Sequence, residues 1–321
     1  MTIRFIDPDS AKPLWVHADG LANDAGVIVF PYKNGAYRIA EDDNYTNNFG
    51  YQWNKFAGTQ VDKSSKLQMS KERFFAETNW DKENLTGKNI LEVGSGAGRF
   101  SQIILDHTQG TLYSVDYSNA VEANFANNGP NERLHLFQAS IYQLPFAPAQ
   151  FDKVICIGVL QHTPNFEQSV HALINMVKPG GELVVDFYGI SGWWTKLHAK
   201  YLFRPFTKNM PHEQLYKKID RNIDWLIKTS KFFSSIGLGK IVNRFLPICD
   251  IEGTLPKGLP YKQLRELCVL DTFDMYSPQY DNPQKISTVV SWFKKYGMDN
   301  VAGQKIYYDN CVAYVVKGIK P

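Results

Sequence analysis

A short apolar run that ends in regularly spaced glycines constrains the fold of this chain more than any other feature. Residues 90–93 are predicted to form a buried strand, and glycine then occupies every second position from 94 to 98. Residues 99–107 carry apolar side chains at helical spacing, so a helix is expected directly after the glycines. A strand that passes through a glycine-rich turn into a helix brings backbone N–H groups close to a bound ligand.

Strand-like and helix-like segments alternate from residue 88 onward. Five apolar runs with strand character are separated by helical patterns, and they cover residues 89–93, 111–115, 134–137, 154–157 and 183–187. A helical stripe at 286–293 and two strands at 304–308 and 311–316 follow later. This alternation predicts an α/β fold with a doubly wound, Rossmann-like parallel sheet and helices on both faces.

The connection between the fifth strand and the last helix is too long for a simple loop and is predicted to be a mostly helical insertion. The chain is accordingly divided into an N-terminal arm (1–87), a sheet core (88–188), a helical lid (189–282) and a C-terminal helix with two strands (283–321). In the arm, a hairpin is expected at 26–37 with its turn at Asn34-Gly35, and a helix at 71–77.

The spacing of the glycines indicates which kind of ligand the turn binds. A dinucleotide fingerprint, G-x-G-x-x-G, would need glycine at position 99, where this chain has Arg99. Asp116 stands at the end of the next predicted strand, about twenty residues on, where a carboxylate can accept hydrogen bonds from ribose hydroxyls. The combination favours a nucleoside ligand that is not a dinucleotide. The alternative is a tight turn whose glycines serve packing, with Asp116 at the surface.

Together with later segments, the glycine turn resembles the class I S-adenosylmethionine-dependent methyltransferases, particularly the branch that contains the ubiquinone and menaquinone methylases. The later segments are residues 143–146 with 151–154, 158–162 and 178–183. The resemblance covers residues 49–188 and returns at the C-terminal helix and strands. It implies a transferase that uses S-adenosylmethionine as its cofactor.

The resemblance also implies which residues bind that cofactor. Glu92 and the glycine turn would hold the methionine end, Asp116 the ribose, and Tyr117 would lie beside the adenine. Many family members carry an aspartate after the third strand that binds the adenine amino group. Here Ser140 takes that place, and its hydroxyl and the Ile141 N–H would read the adenine edge. The implied cofactor positions are Glu92, Gly94, Ser95, Gly96, Gly98, Asp116, Tyr117, Ser140, Ile141 and Gly158.

Two further side chains are candidates for the site. His162 follows the fourth strand, at the carboxyl edge where ligands of open α/β sheets bind, and could act as a general base. The alternative is that it packs against the cofactor or hydrogen-bonds locally. Arg73, in the helix predicted at 71–77, either pairs with the carboxylate of the cofactor or is a solvated charge.

Residues 271–281, just before the last helix, are predicted to form a loop on the rim of the active site. In a parallel sheet each helix begins at the ligand-binding edge, so the loop that precedes it lies there too. Asp274 and Tyr276 are the residues expected to orient or deprotonate the acceptor. The alternative is a solvated turn whose Asp281 caps the next helix.

Aromatic and basic side chains alternate at the start of the insertion, between residues 193 and 208. They indicate either amphipathic helices with one buried face or a lid that recognises an anionic or glycan-like acceptor or touches a lipid surface.

Charge and cysteine pattern limit the partners of this chain. Thirty-five Lys and Arg against 32 Asp and Glu give a net charge of +3, without the strong basic stripe expected of a nucleic-acid-binding protein. The four cysteines lack metal-ligand spacing, so no metal site is predicted. Residues 1–12 lack the apolar run of a secretory signal, and no stretch approaches ~18 consecutive apolar residues. These features favour a cytoplasmic protein.

The predicted function is S-adenosylmethionine-dependent methylation of a small-molecule or glycan-type acceptor, at oxygen. One alternative is a quinol or lipid methylase with peripheral contact to a lipid surface. Another is a cofactor-binding partner subunit without catalysis, against which the intact Glu92, glycine turn and Asp116 argue. The sequence specifies neither the acceptor nor the oligomeric state.

Overall fold

The computed structural model describes residues 3–41, 43–59, 61–65, 68–190, 192, 195, 197–308 and 311–321. The chain forms two compact units. The first consists of Met1–Gly189, Asn282–Ile306 and Ala313–Pro321, and the second of Ile190–Asp281 and Tyr307–Val312. Most of the segment predicted to be a helical insertion belongs to the second unit.

Twelve strands and twelve α-helices occur within these described residues. The strands are β1 Phe5–Ile6, β2 Pro13–His17, β3 Gly20–Ala22, β4 Ile28–Lys33, β5 Ala36–Arg38, β6 Asn89–Val93, β7 Thr111–Asp116, β8 Leu134–Gln138, β9 Phe151–Cys156, β10 Val177–Phe187, β11 Asp299–Tyr308 and β12 Cys311–Ile319. The helices are α1 Asn47–Lys55, α2 Asp62–Ser65, α3 Met69–Thr78, α4 Arg99–His107, α5 Val121–Asn128, α6 Phe166–Met176, α7 Ala199–Thr207, α8 His212–Ser235, α9 Gly239–Val242, α10 Ile251–Thr254, α11 Tyr261–Tyr276 and α12 Ile286–Lys295. Short 3₁₀ turns lie at Trp80–Lys82 and Leu160–His162.

The strands join into one mixed sheet in the order β1-β2-β3-β4-β5-β8-β7-β6-β9-β10-β12-β11. Its centre, from β5 to β10, is parallel, whereas β12 runs antiparallel to β10. Residues 90–93 of β6 are all buried, which requires cover on both faces of the sheet. The predicted Rossmann-like α/β fold is confirmed, as are the strand at 89–93 and the helix at 99–107.

One face of the central strands carries the main core of the first unit. Leu91 and Val93 of β6 pack there with residues of α6 and α12, among them Val170 and Phe293. Ile90 and Glu92 alternate with them and therefore point to the opposite face. Val170 and Leu173 of α6 are completely buried, as expected for a helix that packs one face on the sheet.

The N-terminal arm is more regular than the sequence indicates. The hairpin predicted at 26–37 is confirmed as β4 and β5, with Asn34 and Gly35 at φ angles of 50° and 79° in its turn. Beyond the prediction, β1 to β3 extend this hairpin, and β5 pairs in parallel with β8. The arm therefore continues the central sheet. Strands as short as two to five residues leave too little periodicity to detect in the sequence.

The fifth core strand begins earlier than predicted. Strand β10 starts at Val177 instead of residue 183, and the sequence Pro179-Gly180-Gly181 lies inside it. The pairing with β9 shifts between Val177 and Glu182, so an irregularity in the ladder absorbs the proline and the glycines.

The second unit corrects the loop predicted at 271–281. Helix α11 runs to Tyr276, so Asp274 and Tyr276 lie on its last turns. The physical reason is a buried face in which Leu267, Leu270 and Phe273 precede Tyr276 at helical spacing. The acidic residues between them occupy the other faces.

Asp281 does not cap the following helix. The N-cap of α12 is Lys285, and the Asp281 carboxylate instead pairs with Lys200 Nζ at 2.8 Å and Arg204 Nη1 at 3.3 Å. Among the helices of the described residues, none combines the length and apolar character needed to cross a membrane.

Candidate functional site

The glycine turn between β6 and α4 takes a left-handed backbone at each glycine. Gly94, Gly96 and Gly98 have φ angles of 85°, 52° and 82°, which side-chain-bearing residues rarely adopt. A Cβ on Gly94 would overlap the Val159 side chain, and one on Gly98 would overlap Asn124. The glycines at 94 and 98 therefore allow close packing, as the alternative reading of the turn proposed, while the turn keeps its N–H groups at the carboxyl edge of the sheet.

Asp116, at the end of β7, is hydrogen-bonded directly to this turn. Its Oδ2 accepts the Gly96 N–H at 2.8 Å, and its Oδ1 accepts the backbone N–H and the hydroxyl of Ser118 at 2.8 and 2.6 Å. The side chain is buried, so the alternative of a surface aspartate is wrong. Burial raises the pKa of Asp116, and the hydrogen bonds from Ser118 and Gly96 lower it in part.

Glu92 lies in a buried polar network beneath the turn. Its Oε2 accepts the hydroxyls of Ser114, at 3.0 Å, and Ser101, and the Asn124 amide donates to both hydroxyls. Its Oε1 has no hydrogen-bond partner in the described part of the chain. Burial raises the pKa of Glu92 to about 7, although the two serine hydrogen bonds act to lower it. The network joins β6, β7, α4 and α5 behind the turn.

Helix α1 lies along the carboxyl edge of the sheet. The rings of Phe49 and His162 are 5.1 Å apart, and a Cβ on Gly96 would lie 2.9 Å from the indole nitrogen of Trp53. A Cβ on Gly50 would overlap the Asn119 side chain. One helix therefore contacts the segments that follow β6, β7 and β9.

Arg73 is held by two carboxylates in the first unit. Its Nε donates to Glu77 at 2.8 Å, and its Nη2 donates to Asp186, which also accepts the Gly158 N–H. Burial and then the neighbouring Asp186 carboxylate raise the pKa of Glu77, whereas Arg73 lowers it. The alternative of a solvated Arg73 is wrong. Asp186, at the end of β10, was not recognised in the sequence, because its partner lies 113 residues away.

His162 lies in the 3₁₀ turn after β9, between two aromatic rings. Its centroid is 5.1 Å from Phe49 and 5.5 Å from Tyr188, and its side chain is buried. The structure thus brings His162 to the predicted edge, in a packed setting that suits either reading of its role.

The comparisons with known proteins identify the fold's family. Residues 91–185 match the sequence family described as "Methyltransferase domain", and this segment contains the glycine turn, Asp116 and His162. Residues 91–185 therefore form a methyltransferase domain of the class that uses S-adenosylmethionine.

Curated relatives share this domain with the present chain. The ubiquinone biosynthesis O-methyltransferase of Azoarcus sp. (strain BH72) is 36% identical over 107 residues, which are 30% of this chain and 42% of that protein. The tRNA U34 carboxymethyltransferase of Nautilia profundicola is 28% identical over 111 residues, which are 34% of this chain and 37% of that protein. The chain therefore spans less than half the length of these relatives.

Among solved structures, magnesium protoporphyrin IX methyltransferase from Synechocystis PCC 6803 aligns with a TM-score of 0.47. The two chains are 12% identical, and the alignment covers 86% of this chain and 97% of that protein.

Buried polar side chains near the glycine turn indicate what kind of ligand the site fits. The Ser95 hydroxyl and the side-chain amides of Gln52 and Gln161 are buried without a hydrogen-bond partner among the described residues. Leaving such a group unpaired costs about 1–3 kcal/mol, so each favours a polar ligand. Gln52 is on the face of α1 that carries Phe49 and Trp53, because positions 49, 52 and 53 share one side of a helix. These donors and acceptors suit an amino-acid and nucleoside ligand.

The remaining predicted cofactor residues follow β7 and β8. The Tyr117 ring lies 5.2 Å from that of Tyr45, and Ser140 Oγ accepts the Tyr142 N–H at 3.3 Å. Ile141 is buried. Their contacts with adenine stay predictions. Gln52 and Gln161 were missed in the sequence, where an isolated glutamine carries no signal of its burial.

The predicted acceptor residues belong to the second unit. The Tyr276 hydroxyl is buried without a partner among the described residues, and burial raises the pKa of Tyr276, so this phenol stays protonated. Burial lowers the pKa of Lys200, an effect that Asp281 first and Asp274 next oppose. Lys200 and Arg204, which the sequence offered as anion-binding groups, are thus occupied by Asp281. Trp193, Trp194 and Lys196 lie outside the described residues.

Proposed function

We propose that this chain transfers the methyl group of S-adenosylmethionine to a hydroxyl of a small-molecule acceptor. The observation that carries the proposal is the hydrogen bond from Gly96 to Asp116, which ties an acidic side chain to the glycine turn at the edge covered by α1. The fold and the domain match give the cofactor class. The acceptor and the methylated atom are the proposed part.

The residues around the turn have distinct tasks in this proposal. S-adenosylmethionine, when bound, supplies a methyl group that its sulfonium has already activated. The protein therefore needs chiefly to orient the reactants and exclude water, which is worth ~7–11 kcal/mol. Asp116 would accept the ribose hydroxyls, Gln52 and Ser95 would pair with polar groups of the ligand, and Trp53 would keep water from the turn.

His162 is proposed to accept the proton of the acceptor hydroxyl. It lies at the carboxyl edge of the sheet, beside Phe49 of α1. Histidine is the side chain that acts most often as a general base. Packing between Phe49 and Tyr188 would fix the ring orientation.

Asp274 and Tyr276 of α11 are proposed to orient the acceptor, a role that the sequence alone suggests. With its pKa raised by burial, Tyr276 would act as a hydrogen-bond donor and not as a base. The name of the Azoarcus relative supports methylation at oxygen, and that of the Nautilia relative keeps a nucleic-acid acceptor as a competitor. A glycan acceptor and a quinol or lipid acceptor remain alternatives within the same proposal.

The test is turnover of methyl-labelled S-adenosylmethionine with panels of phenolic, glycan, quinol and tRNA acceptors, with products located by mass spectrometry. We expect S-adenosylhomocysteine and an O-methylated small molecule. Methylation of tRNA alone, or at nitrogen or carbon alone, would overturn the acceptor assignment. Cofactor binding without turnover on any acceptor would instead support a partner subunit that has lost catalysis.

A further inference from the structure

The longest helix of the second unit carries an outward stripe of basic and large apolar residues. Positions 218, 221, 225, 228, 232 and 236 follow one another at intervals of three or four residues, so they share one side of α8 and its C-terminal extension. All six are exposed, and Trp225, Phe232 and Ile236 expose half or more of their surface. The opposite side, with Ile223 and Ile227 among its members, packs in the core of the unit. The stripe consists of Lys218, Arg221, Trp225, Lys228, Phe232 and Ile236.

The stripe continues onto the short helix that follows. Asn243, just after α9, donates to Ser234 of α8 at 3.1 Å, and a Cβ on Gly239 would overlap Ser234, so α9 packs back against the end of α8. Leu238, Ile241 and Phe245 are exposed there. We call these residues and the α8 stripe together the basic-apolar surface.

The charge of this surface has one sign. Residues 225–249 contain four cations and no carboxylate, although the whole chain carries a net charge of only +3. The nearby carboxylates of α8 lie at the border of the stripe, where Asp224 is close enough to Lys228 to attract it. Asp220 and Asp224 accept from Arg265 of α11 at 2.8 and 3.1 Å. The cations of the stripe therefore face solvent beside exposed apolar groups.

We propose that the basic-apolar surface binds the surface of an anionic phospholipid bilayer. Lysine and arginine beside an anionic leaflet are attracted to its headgroups, while apolar side chains between them enter the boundary of the acyl chains. Exposed apolar groups of this number in one place mark an interaction site and not a random surface.

The residue types favour this occupant over two others. Single-stranded nucleic acid is bound by aromatic rings on which bases stack, whereas half of the exposed apolar groups here are aliphatic: Ile236, Leu238 and Ile241. A symmetric dimer through the same surface would bring two positively charged patches together, since a two-fold interface uses the same patch on both subunits. A negatively charged lipid surface matches both the charge and the aliphatic groups.

The surface is independent of the proposed methyl transfer. None of its residues lies in the matched segment 91–185, and its test needs neither cofactor nor acceptor. Failure of one proposal therefore leaves the other standing.

The experiment is co-sedimentation of the full chain with vesicles of phosphatidylcholine alone or mixed with phosphatidylglycerol. We expect binding to the mixed vesicles only, and at least a tenfold loss in the partition coefficient for Arg221→Glu/Lys228→Glu and for Phe232→Ser/Ile241→Ser. The matched controls are Lys33→Glu and Val16→Ser, which change an exposed lysine and an exposed apolar residue of the first unit and should keep wild-type binding.

Brominated phospholipid gives a second readout, which reports how close tryptophan rings of the bound protein come to the acyl chains. Bound wild-type protein should lose tryptophan fluorescence, and Trp225→Phe should bind while losing most of that quenching. Equal binding to both vesicle types, or no effect of either double variant, would overturn the proposal. The proposal would also be overturned if vesicles stay unbound while the protein binds single-stranded RNA or dimerises, and the same variants abolish that binding or dimerisation.

Discussion

The backbone N–H of Gly96 donates to Asp116 Oδ2 across 2.8 Å. Gly96 follows β6 and Asp116 ends β7, so the bond fixes the glycine turn against the end of the neighbouring strand. Asp116 therefore holds the turn in place, in addition to the ribose contact proposed for it.

Replacing Asp116 should separate these two roles. We expect Asp116→Ala to weaken binding of S-adenosylmethionine by ~2–4 kcal/mol in calorimetry, because hydrogen bonds to a charged acceptor are lost. Asp116→Asn keeps an acceptor for the Gly96 N–H and should retain the turn while losing the charge. Ser118→Ala removes one donor to the carboxylate and should weaken binding of S-adenosylmethionine by about 1 kcal/mol or less. Unchanged affinity in Asp116→Ala would remove this residue from the site.

Glu92 should make stability depend on pH. Burial raises its pKa in the folded protein from an ordinary 4.5 to about 7, so the folded state holds the proton more tightly than the unfolded chain. The stabilisation is full below pH 4.5 and is lost as the pH rises to about 7. Glu92→Gln mimics the protonated form, so its stability relative to the wild type should rise across this window by roughly 3 kcal/mol.

Denaturant unfolding of both proteins from pH 4 to 8 measures this difference. Glu132→Gln, at an exposed position, is the matched control and should follow the wild type throughout. A constant difference between Glu92→Gln and the wild type would show that folding does not raise the pKa of Glu92.

Gln52 should trade stability against binding. Its amide is buried and unpaired among the described residues, so Gln52→Leu should stabilise the free protein by about 1–3 kcal/mol. The same change should weaken binding of S-adenosylmethionine or raise the KM for the acceptor. Gln102→Leu is the control, because that buried amide donates to Asp106 at 3.2 Å and its loss should destabilise. A destabilised Gln52→Leu with unchanged binding would mean that the amide is paired within the protein.

His162→Phe should distinguish proton transfer from packing. Phenylalanine keeps a ring between Phe49 and Tyr188, so the melting temperature should stay near that of the wild type. If the imidazole accepts the acceptor proton, kcat falls by 10²–10⁴-fold and the acid limb of the pH profile disappears. Retained kcat with an unchanged pH profile would leave His162 a packing residue only.

The sequence predicted those parts of the fold that rest on local patterns. The glycine turn and α4 were placed correctly, because their spacing depends on residues 90–107 alone. The loop predicted at 271–281 was wrong over its first half, because the topology argument that placed it ignored the buried face that continues α11 to Tyr276. Composition cannot show which side of a helix its charges occupy.

The partners within the site were less predictable than its position. Arg73 contacts Asp186 because α3 and the end of β10 pack together, a relation between residues 113 positions apart. Lys200 and Arg204 belong to the segment of alternating aromatic and basic residues, and only the folded chain shows that both pair with Asp281. Such pairings follow from tertiary packing, which no local pattern records.

Calorimetric titration with S-adenosylmethionine, S-adenosylhomocysteine and NAD tests the central claim most directly. The glycine spacing, Asp116 and the unpaired polar groups under α1 predict that both sulfur nucleosides bind and that NAD does not. S-adenosylmethionine and S-adenosylhomocysteine should each raise the melting temperature, because a ligand that binds only the folded state stabilises it. A folded protein that binds NAD, or that gives neither heat nor thermal stabilisation with either sulfur nucleoside, would contradict it.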